Sequence, residues 1–402
     1  MKNWARNVTY STDRVLAPRT VAEAQEMVAR AELLRPLGTG HSFSRVADTT
    51  GALISTERLD RIVEVGTETV VVEAGIRYGD LGSALARHDL AVPNYASLPH
   101  ISVGGAIATA THGSGARNQS LAASVAALEL VCSDGSLERF ARTDEDFDGT
   151  VVALGSLGLV VRVTLDVVPA FELGQHVFEG LSWAAVEADL HEVLALGYST
   201  SLFTRWSEDG IDQAWVKSAA PVESCFGATA ADGPRNPVTG ADPANATEQL
   251  GAPGPSAERL PHFRLGFTPS GGDELQSEYA IASEHAVEAV RALRPLGPIL
   301  TPLLLTSEIR AVAADSLWLS PFHGRDSVCI HFTWKPLGAK VHAALQRIEA
   351  ALAPFEPRPH WGKLFIRSPA SSYPRLREFR ALRARLDPGR VFGNAFDAQL
   401  GT

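Results

Sequence analysis

The segment at residues 101–115, ISVGGAIATATHGSG, constrains the fold of this chain more than any other stretch of its sequence. Its glycines lie among small and β-branched side chains, so the segment has almost nothing bulky with which to build a core of its own. A backbone of this composition can approach another surface closely. We therefore expect these residues to pack against something large and flat.

The length of the chain indicates more than one globular unit. At 402 residues it exceeds the size at which a single hydrophobic core usually keeps growing. Hydrophobic residues make up 45% of the sequence and charged residues 20%, which is typical of a folded protein. The sequence therefore predicts two domains, each with a core of its own.

Charge and cysteine content exclude several classes of partner. The formal net charge is -10 and the basic residues are scattered, which disfavours a nucleic acid partner. The three cysteines, at 132, 225 and 329, lie far apart, with no metal-binding spacing or disulfide framework. The N-terminus MKNWARNVTY is not a signal peptide, and no run of about 18 apolar residues occurs. We expect a cytoplasmic monomer with no membrane partner.

Strands and helices alternate along the first part of the chain. Thr20 and Glu23 form a capping box, and the apolar residues that follow recur at helical spacing. The β-branched run TVVVEAG is typical of a strand that ends at a glycine. The patterns predict helices at 21–34 and 80–90 and strands at 69–75, 124–132 and 158–168.

The composition changes between residues 219 and 261. This region is dense in Pro, Gly, Ala, Asn and Asp and poor in large apolar residues, which predicts a long surface excursion. It is too long for a routine connection, so we expect a mobile loop of the second domain or a partly disordered segment. Beyond it, apolar periodicity predicts helices at 282–293 and 338–352.

Polar side chains recur at every second position of two predicted strands near the end of the second domain. The strands TPLLLTSEIRAV and SVCIHFTWK carry this pattern at Glu308, Arg310, His331, Thr333 and Lys335. Residues two apart on a strand project from the same face of a sheet. That face is either an ordinary solvated surface or a functional surface, and the pattern by itself leaves both open.

The loop Gly38–Phe43, GTGHSF, begins like a dinucleotide fingerprint but has Phe43 where the third glycine should stand. This departure disfavours a nicotinamide-binding Rossmann unit. What remains is a loop bracketed by glycines, whose free N–H groups can hold an anion such as a pyrophosphate. A histidine beside such a loop is often only a turn residue, so His41 by itself identifies no chemistry.

Several segments taken together resemble one family in the same order along the chain. RPLGTGHSFS, EAGIRYGDLG, SLPHISVGGAIATATHGSG, SEIR, HFTWK, HWGKLF and DPGRVFGNAF look like the alditol oxidases of the vanillyl-alcohol-oxidase flavoprotein superfamily. The resemblance implies an α+β, two-domain FAD-binding fold whose substrate domain is built on an antiparallel sheet. It places the FAD-binding domain at 1–170, the substrate domain at 171–355 and a C-terminal return to the FAD-binding domain at 356–402.

The resemblance also implies the cofactor and the residues that hold it. His41 matches the histidine that carries FAD covalently in the family, and an imidazole nitrogen can attack the electron-poor 8α position of a flavin. The other residues that it assigns to FAD are Gly38, Thr39, Gly40, Ser42, Phe43, Ser102, Val103, Gly104, Gly105, Ala108, Thr109, His112, Gly113, Gly158 and Val160.

The substrate side follows from the same matches. Ser102, Glu308, Arg310, His331, Thr333 and Lys363 match residues on the substrate side in the family. Arg310, Lys363 and His331 are the catalytic candidates, the first two for stabilising negative charge on the flavin and His331 for accepting a proton. A carboxylate and a forked guanidinium can bind successive hydroxyls of a polyol. The group that accepts the alcohol proton stays open between His331 and a neutral lysine. The structural alternatives are that Glu308 and Arg310 form only an exposed ion pair and that Lys363 extends to the protein surface.

The activity implied is oxidation of a terminal carbinol of an alditol such as xylitol or sorbitol, with FAD as cofactor and oxygen as acceptor. The products would be an aldose and hydrogen peroxide. A sugar-1,4-lactone oxidase or dehydrogenase is an alternative, because those enzymes share the flavin domain and a closing HW-G/A-K segment. A non-catalytic flavin-binding protein is another. No metal is expected, since the histidines lack the spacing of ligands.

Overall fold

The computed structural model describes residues 1–267 and 272–401. The part of the chain that precedes residue 171 alternates short strands with short helices. In chain order its elements are β1 (Val15–Leu16), α1 (Val21–Ala29), β2 (Leu34–Leu37), β3 (Ala52–Ser55), β4 (Ile62–Val65), β5 (Thr69–Glu73), α2 (Tyr78–Leu85), β6 (Leu90–Ala91), α3 (Val103–Ala108), β7 (Val125–Val131), β8 (Leu137–Ala141), α4 (Phe147–Thr150), β9 (Leu159–Asp166) and β10 (Val168–Pro169).

The rest of the chain has longer strands, with helices between them. In chain order its elements are β11 (Glu172–Leu181), α5 (Trp183–Leu194), β12 (Ser199–Thr204), β13 (Ile211–Ser218), β14 (Thr229–Ala230), β15 (Gly254–Pro255), α6 (Ser256–Arg259), β16 (Leu275–Ala282), α7 (Ala286–Leu293), α8 (Gly297–Leu300), β17 (Leu304–Val312), β18 (Ser327–Trp334), α9 (Gly338–Leu352), β19 (Arg358–Pro359) and α10 (Leu376–Leu386).

Two main sheets form the N-terminal part. Strands β1, β3 and β2 make a parallel sheet, and β4, β5, β9, β7 and β8 make an antiparallel one. The predicted strands at 69–75, 124–132 and 158–168 are β5, β7 and β9, so these predictions are confirmed to within a few residues. A short antiparallel pair of β6 and β10 lies beside them.

The helix predictions are correct in place, but two are too long. Helix α1 begins after the predicted Thr20 cap, whose hydroxyl accepts from the Glu23 N–H, but it ends at Ala29. Leu34 instead pairs with Ala52 in the parallel sheet, so tertiary pairing overrides the helical pattern. The second helix begins earlier than predicted and gives way to a tight turn that ends at Asp89 in the left-handed region.

A large antiparallel sheet dominates the second part of the chain. Within the described residues its strands lie in the order β14, β11, β13, β12, β17, β18, β16 and β19, with β15 paired to β11. One face packs against α5, α7 and α9 around an apolar core. The opposite face lies against the N-terminal part, where Gly115 pairs with Val312 and the Ser114 hydroxyl lies 3.2 Å from that of Ser201.

The polar pattern of β17 and β18 lies on the face that meets the N-terminal part, not on a solvated surface. Glu308, Arg310, His331 and Thr333 are all buried. Lys335 is the exception, because it follows the end of β18 and donates to the Pro302 carbonyl. The interpretation as an ordinary solvated face is therefore wrong.

The region 219–261 is a surface excursion only in part. It contributes β14, β15 and α6, and it buries Cys225, Ala246 and Thr247. Its polar groups are held by the sheet, since Gln175 donates to the Thr247 carbonyl and Arg235 pairs with Glu179 at 2.8 Å. Composition does not reveal these contacts, because they are made to a distant strand, and the mobility of the segment stays a prediction.

The two parts form the predicted α+β, two-domain fold, and the residue limits of the domains stay a prediction. All three cysteines are buried and unpaired, as their separation in the sequence predicted. In residues 1–267 and 272–401 no helix has both the length and the apolarity needed to cross a membrane.

The C-terminal segment returns to the N-terminal part. Asn394 caps the last helical turn and also donates to the carbonyls of Val46 and Asp48. A buried guanidinium completes this junction. Arg35 donates from Nε to the Val46 carbonyl at 2.8 Å and from Nη1 to the Phe392 carbonyl at 2.5 Å. A third bond, from Nη2 to the Leu154 carbonyl, measures 2.7 Å.

Substituting Arg35→Leu should lower the free energy of unfolding by about 3 kcal/mol or more, because three buried carbonyls lose a charged donor. Arg142→Leu is the matched control, since its partner Asp166 is solvent-accessible and such pairs contribute about 1 kcal/mol or less. Urea denaturation followed by tryptophan fluorescence measures both. Equal losses for the two variants would show that Arg35 does not anchor the C-terminal segment.

Candidate active site

A cavity of about 510 Å³ lies between the N-terminal part and the polar face of the large sheet. The loop 38–43, the segment that includes α3, and residues 153–160 line one side of it. Side chains of β16, β17 and β18, together with His360 and Lys363, line the other side. Its size is typical of a small-molecule or cofactor site.

Glycine lets the loop 38–43 lie directly against the N-terminus of α3. A Cβ atom on Gly38 would stand 2.5 Å from Ser102 Oγ and 3.3 Å from the Gly105 Cα, so no larger residue fits there. Gly40 adopts φ +71°, in the left-handed region that favours glycine. The loop and the segment 101–115 therefore make the close backbone approach that the sequence predicted.

The backbone of this loop is suited to an anion. No N–H group from Gly38 to Ser42 donates a hydrogen bond to any other part of the described structure. Successive free N–H groups that line a cavity form an anion-binding concavity. These free donors fit the diphosphate of a dinucleotide cofactor.

His41 lies in the wall of the cavity with its ring stacked on Trp4 at 5.0 Å between centroids. Its Nδ1 is 2.9 Å from Thr39 Oγ1. Burial, with a smaller contribution from nearby His100, lowers the pKa of His41 to about 4. The imidazole is therefore neutral at physiological pH, which is the form that can act as a nucleophile.

The other residues predicted to contact the cofactor divide into two groups. Apart from the loop, the cavity wall includes Gly104, Gly105, Ala108, Thr109, His112, Gly158 and Val160. Three predicted residues do not belong to it. Val103 lies in the apolar core, Gly113 packs against Tyr95 and Asn94, and Ser102 lies immediately behind Gly38. The sequence pattern could not distinguish the residues that line the cavity from those packed directly behind them, because both groups consist of small or apolar residues.

The structure brings the predicted substrate residues of the sheet to the cavity. Glu308, Arg310, His331 and Thr333 line it on β17 and β18, with Arg310 Nη1 3.5 Å from Glu308 Oε2. Both members of this ion pair are buried, so it is not the exposed surface pair that the sequence allowed. Lys363 reaches the same wall from the segment after β19, with 13% of its side chain exposed. It therefore does not extend to the protein surface.

Glu278, which the sequence analysis missed, joins these groups. Its Oε1 lies 2.8 Å from Arg310 Nη2, and its Oε2 lies 2.6 Å from Lys363 Nζ. His112 Nε2 is 3.3 Å from Oε1 but outside hydrogen-bonding geometry. Burial favours the neutral acid, but the charges of Arg310 and Lys363 outweigh it and hold the pKa of Glu278 well below its usual range. The carboxylate is therefore ionised and compensated.

A signal for Glu278 was present in the sequence. Gln276 and Glu278 stand two apart in LQSEYAIA, which forms β16, so their side chains share the polar face. In the antiparallel register Glu278 lies opposite His331, which lies opposite Glu308. Period-two polarity in a third strand would therefore have predicted a third member of the cluster.

His331 lies in this row with one ring nitrogen free. Its Nε2 is 3.2 Å from Gln276 Oε1, whereas Nδ1 has no hydrogen-bond partner within residues 1–267 and 272–401. Burial, and then the charge of Lys363, hold the pKa of His331 well below its usual range. A neutral imidazole that donates from Nε2 to Gln276 keeps a lone pair on Nδ1. His331 is therefore a candidate for the proton acceptor.

A metal could bind only in competition with these ion pairs. In the described part of the chain, His112, Glu278 and Cys329 offer one ligand atom each within 4.8 Å of one another. Two cationic side chains already compensate Glu278, and burial raises the pKa of the Cys329 thiol, so the group is a poor cation site. The absence of a metal stays a prediction.

Comparisons with known proteins identify the family. A model of the FAD binding domain matches residues 12–141, and a model of D-arabinono-1,4-lactone oxidase matches residues 273–400. An alditol oxidase from a Streptomyces species is 46% identical over 404 residues, which cover 98% of this chain and 97% of that protein. The chain belongs to the alditol oxidase family. Members of this family are FAD-dependent oxidoreductases of the vanillyl-alcohol-oxidase type, so FAD is the cofactor.

Two further proteins are less similar to this chain. An L-gulono-1,4-lactone dehydrogenase from Mycobacterium tuberculosis is 29% identical over 428 residues, which cover 98% of this chain and 97% of that protein. Among solved structures, a solvent-stable cholesterol oxidase superposes with a TM-score of 0.80 at 16% identity, covering 100% of this chain and 97% of that chain. The cholesterol oxidase likeness supports the fold alone.

Substituting Glu278→Gln should lower the free energy of unfolding by about 3 kcal/mol, because removing one partner of a buried ion pair leaves the other charge uncompensated. Glu129→Gln is the matched control: its partner Arg162 lies 3.0 Å away and both side chains are partly exposed, so a loss of about 1 kcal/mol or less is expected. Chemical denaturation of the FAD-loaded proteins measures the difference. A loss at Glu278 no larger than that at Glu129 would contradict the role given to its carboxylate.

Proposed function

We propose that this protein oxidises a terminal carbinol of an alditol such as xylitol or sorbitol to the aldose, with oxygen as the acceptor and hydrogen peroxide as the product. The observation that carries the proposal is the buried pair of Glu308 and Arg310 in the cavity wall, next to Lys363. The 46% identity to an alditol oxidase supports the same substrate class.

Recognition of a polyol requires both donors and acceptors along a row of hydroxyls. Glu308 offers carboxylate oxygens, Arg310 offers a forked set of N–H donors, and Thr333 offers a hydroxyl that can do either. All three lie on neighbouring strands of one sheet face, so their spacing is fixed by the register of β17 and β18. We expect the substrate to lie across these strands, with successive hydroxyls bound in turn.

FAD bound in the cavity supplies the hydride acceptor for the reaction. Arg310 and Lys363 hold their positive charges in the cavity wall, each fixed by one oxygen of Glu278. Charges that are already oriented stabilise negative charge that develops during the reaction, without a cost of reorganisation. We assign Arg310 and Lys363 this role.

The proton of the reacting hydroxyl also needs an acceptor. His331 is our candidate, because it lines the cavity, its Nδ1 has no hydrogen-bond partner among the described residues, and burial keeps the ring neutral. Lys363 is a weaker one: burial lowers its pKa, but the contact with Glu278 favours the ammonium form. The substrate proton would therefore move to His331 Nδ1.

We also propose that His41 carries the FAD covalently. Its ring is neutral, lies in the cavity wall, and is held by Trp4 and Thr39 beside the loop of free N–H groups. We place the cofactor diphosphate on that loop, whose N–H groups up to Ser42 are free in the described part of the chain. Gly104 and Gly105 line the cavity beside it, and their lack of side chains lets α3 pack closely against Ala74 and Gly38.

A sugar-1,4-lactone oxidase or dehydrogenase is the second candidate. It is supported by the match of residues 273–400 to the D-arabinono-1,4-lactone oxidase model. That match covers the Glu308 and Lys363 segments, so the same cavity wall would have to bind a cyclic ester. A direct comparison of substrates separates the two candidates.

The purified protein, supplied with FAD, should produce hydrogen peroxide in air with xylitol and sorbitol but not with L-gulono-1,4-lactone. The reason is that an extended polyol can satisfy both Glu308 and Arg310, whereas a lactone ring cannot present the same row of hydroxyls. A peroxidase-coupled assay measures all three. Peroxide with the lactone alone would assign the protein to the second candidate function, and reduction of FAD without peroxide would indicate a dehydrogenase.

The substitution His41→Ala should release the flavin. After acid precipitation, the wild-type pellet is expected to stay yellow and that of the variant to lose its colour to the supernatant, because no covalent bond holds the cofactor. His88→Ala, at an exposed position beyond α2, is the control and should keep the flavin in the pellet. A yellow His41→Ala pellet would rule out this residue as the attachment site.

The pH dependence of kcat/KM tests the proton acceptor. Since burial holds the pKa of His331 well below 6.5, the neutral base is fully present at neutral pH and is lost only as pH falls below the ordinary histidine range. His331→Gln should reduce kcat about 100-fold, and His323→Gln, outside the cavity, should leave it within about twofold. A fall in kcat/KM centred near pH 6.5, or an unaffected His331→Gln enzyme, would exclude His331.

A further inference from the structure

A fully buried lysine lies behind the part of the cavity wall that Glu308 forms. Lys217 on β13 places Nζ 2.5 Å from the Leu260 carbonyl, 3.3 Å from the Pro261 carbonyl and 3.1 Å from His262 Nδ1. An ammonium group has three donors and no acceptor. The three partners therefore match its hydrogen-bonding capacity, provided that His262 Nδ1 carries a lone pair.

His262 connects this lysine to the cavity. Its Nε2 lies 2.9 Å from Glu308 Oε1, and its ring is held edge-on by Phe203 and Trp215, at 5.4 and 5.5 Å between centroids. Burial and then the charge of Lys217 lower the pKa of His262 to about 4, so the ring is neutral. A neutral ring with its lone pair on Nδ1 must carry its proton on Nε2, from which it donates to Glu308.

We infer that Lys217 and His262 are positioning residues that keep Glu308 an ionised acceptor directed at the polyol. The inference rests on the proposed function of Glu308 as a substrate-binding carboxylate. Lys217 fixes the tautomer of His262, and His262 fixes one oxygen of Glu308, which leaves the other oxygen beside Arg310 and His331. Neither residue takes part in the chemical step.

The tautomer of His262 matters because the other tautomer would repel Glu308. Without the ammonium of Lys217, either ring nitrogen of His262 could carry the proton. The Nδ1–H form would turn the Nε2 lone pair toward the carboxylate oxygen of Glu308 at 2.9 Å. Glu308 would then rotate away or take up a proton, and in both cases it would accept fewer hydrogen bonds from substrate hydroxyls.

Lys217 could instead be only a structural clamp on the segment before His262, and a double-mutant cycle separates the two roles. The FAD-loaded wild type, Lys217→Met, Glu308→Gln and the double variant are compared for the KM of xylitol and for kcat. In the wild-type background, Lys217→Met should raise KM about tenfold, with a smaller change in kcat. In the Glu308→Gln background the same substitution should raise KM by less than about threefold. The same factor in both backgrounds would overturn the inference. Where turnover is too slow, calorimetric titration with xylitol supplies Kd in place of KM.

Two further variants control for loss of structure. Gln175→Met removes a buried polar side chain that donates to the carbonyls of Thr247 and Glu248 in the same segment, and it should leave KM within about twofold. At His262, glutamine keeps an acceptor for Lys217 and a donor for Glu308, whereas leucine keeps neither. His262→Gln should therefore bind xylitol several-fold more tightly than His262→Leu, and equal effects would contradict the inference.

A spectroscopic measurement tests the tautomer without any turnover. Nitrogen-15 NMR of ring-labelled histidine, with the His262 signals assigned by their loss in His262→Gln, should show the proton on Nε2. Burial lowers the pKa of Lys217 to about 7, so the spectrum is recorded on the acid side of that value, where the ammonium dominates. A proton on Nδ1 would overturn the inference. If the wild type failed to oxidise xylitol, the proposed function would fall, whereas the NMR result would still decide the tautomer.

Discussion

The buried carboxylate of Glu278 is the interaction on which the cavity depends. It holds Arg310 from one strand and Lys363 from the segment after β19, and its own strand brings it opposite His331. Uncompensated charges of this kind cannot remain buried, so each group requires the others. Because the partners come from separate parts of the chain, they come together only when the large sheet is complete and the C-terminal segment has returned.

The two faces of the large sheet differ in composition and role. The face toward α5, α7 and α9 is apolar and closely packed, with Phe332 and Trp334 stacked at 5.2 Å between centroids. The opposite face carries the buried polar side chains and meets the cofactor-binding part. Since side chains alternate along a strand, alternate residues of the same two strands, β17 and β18, build the two faces. Core packing on one face therefore fixes the position of the reactive groups on the other.

The segment that precedes His262 gives the second carboxylate its support. Composition marks residues 219–261 as a loop, but the sheet satisfies its polar groups and it delivers His262 to Glu308. The cavity wall thus has two buried acids that share Arg310 as a partner; Glu278 also pairs with Lys363, and Glu308 with His262. The charge of Arg310 keeps both acids ionised, and their remaining partners differ. In the proposed function Glu278 orients the cations and Glu308 accepts hydrogen bonds from the substrate.

The sequence by itself determined the family, the loop around His41 and the strands that carry Glu308 and Arg310, because local motifs and period-two patterns survive without the fold. The tertiary structure decided what the sequence could not. In the folded chain Glu278, Lys217 and His262 lie beside those residues, whereas Val103 and Gly113 do not line the cavity. Contacts between distant segments decide whether a polar strand face is solvated or buried. They also decide which charged groups compensate each other. Sequence spacing does not encode such contacts locally.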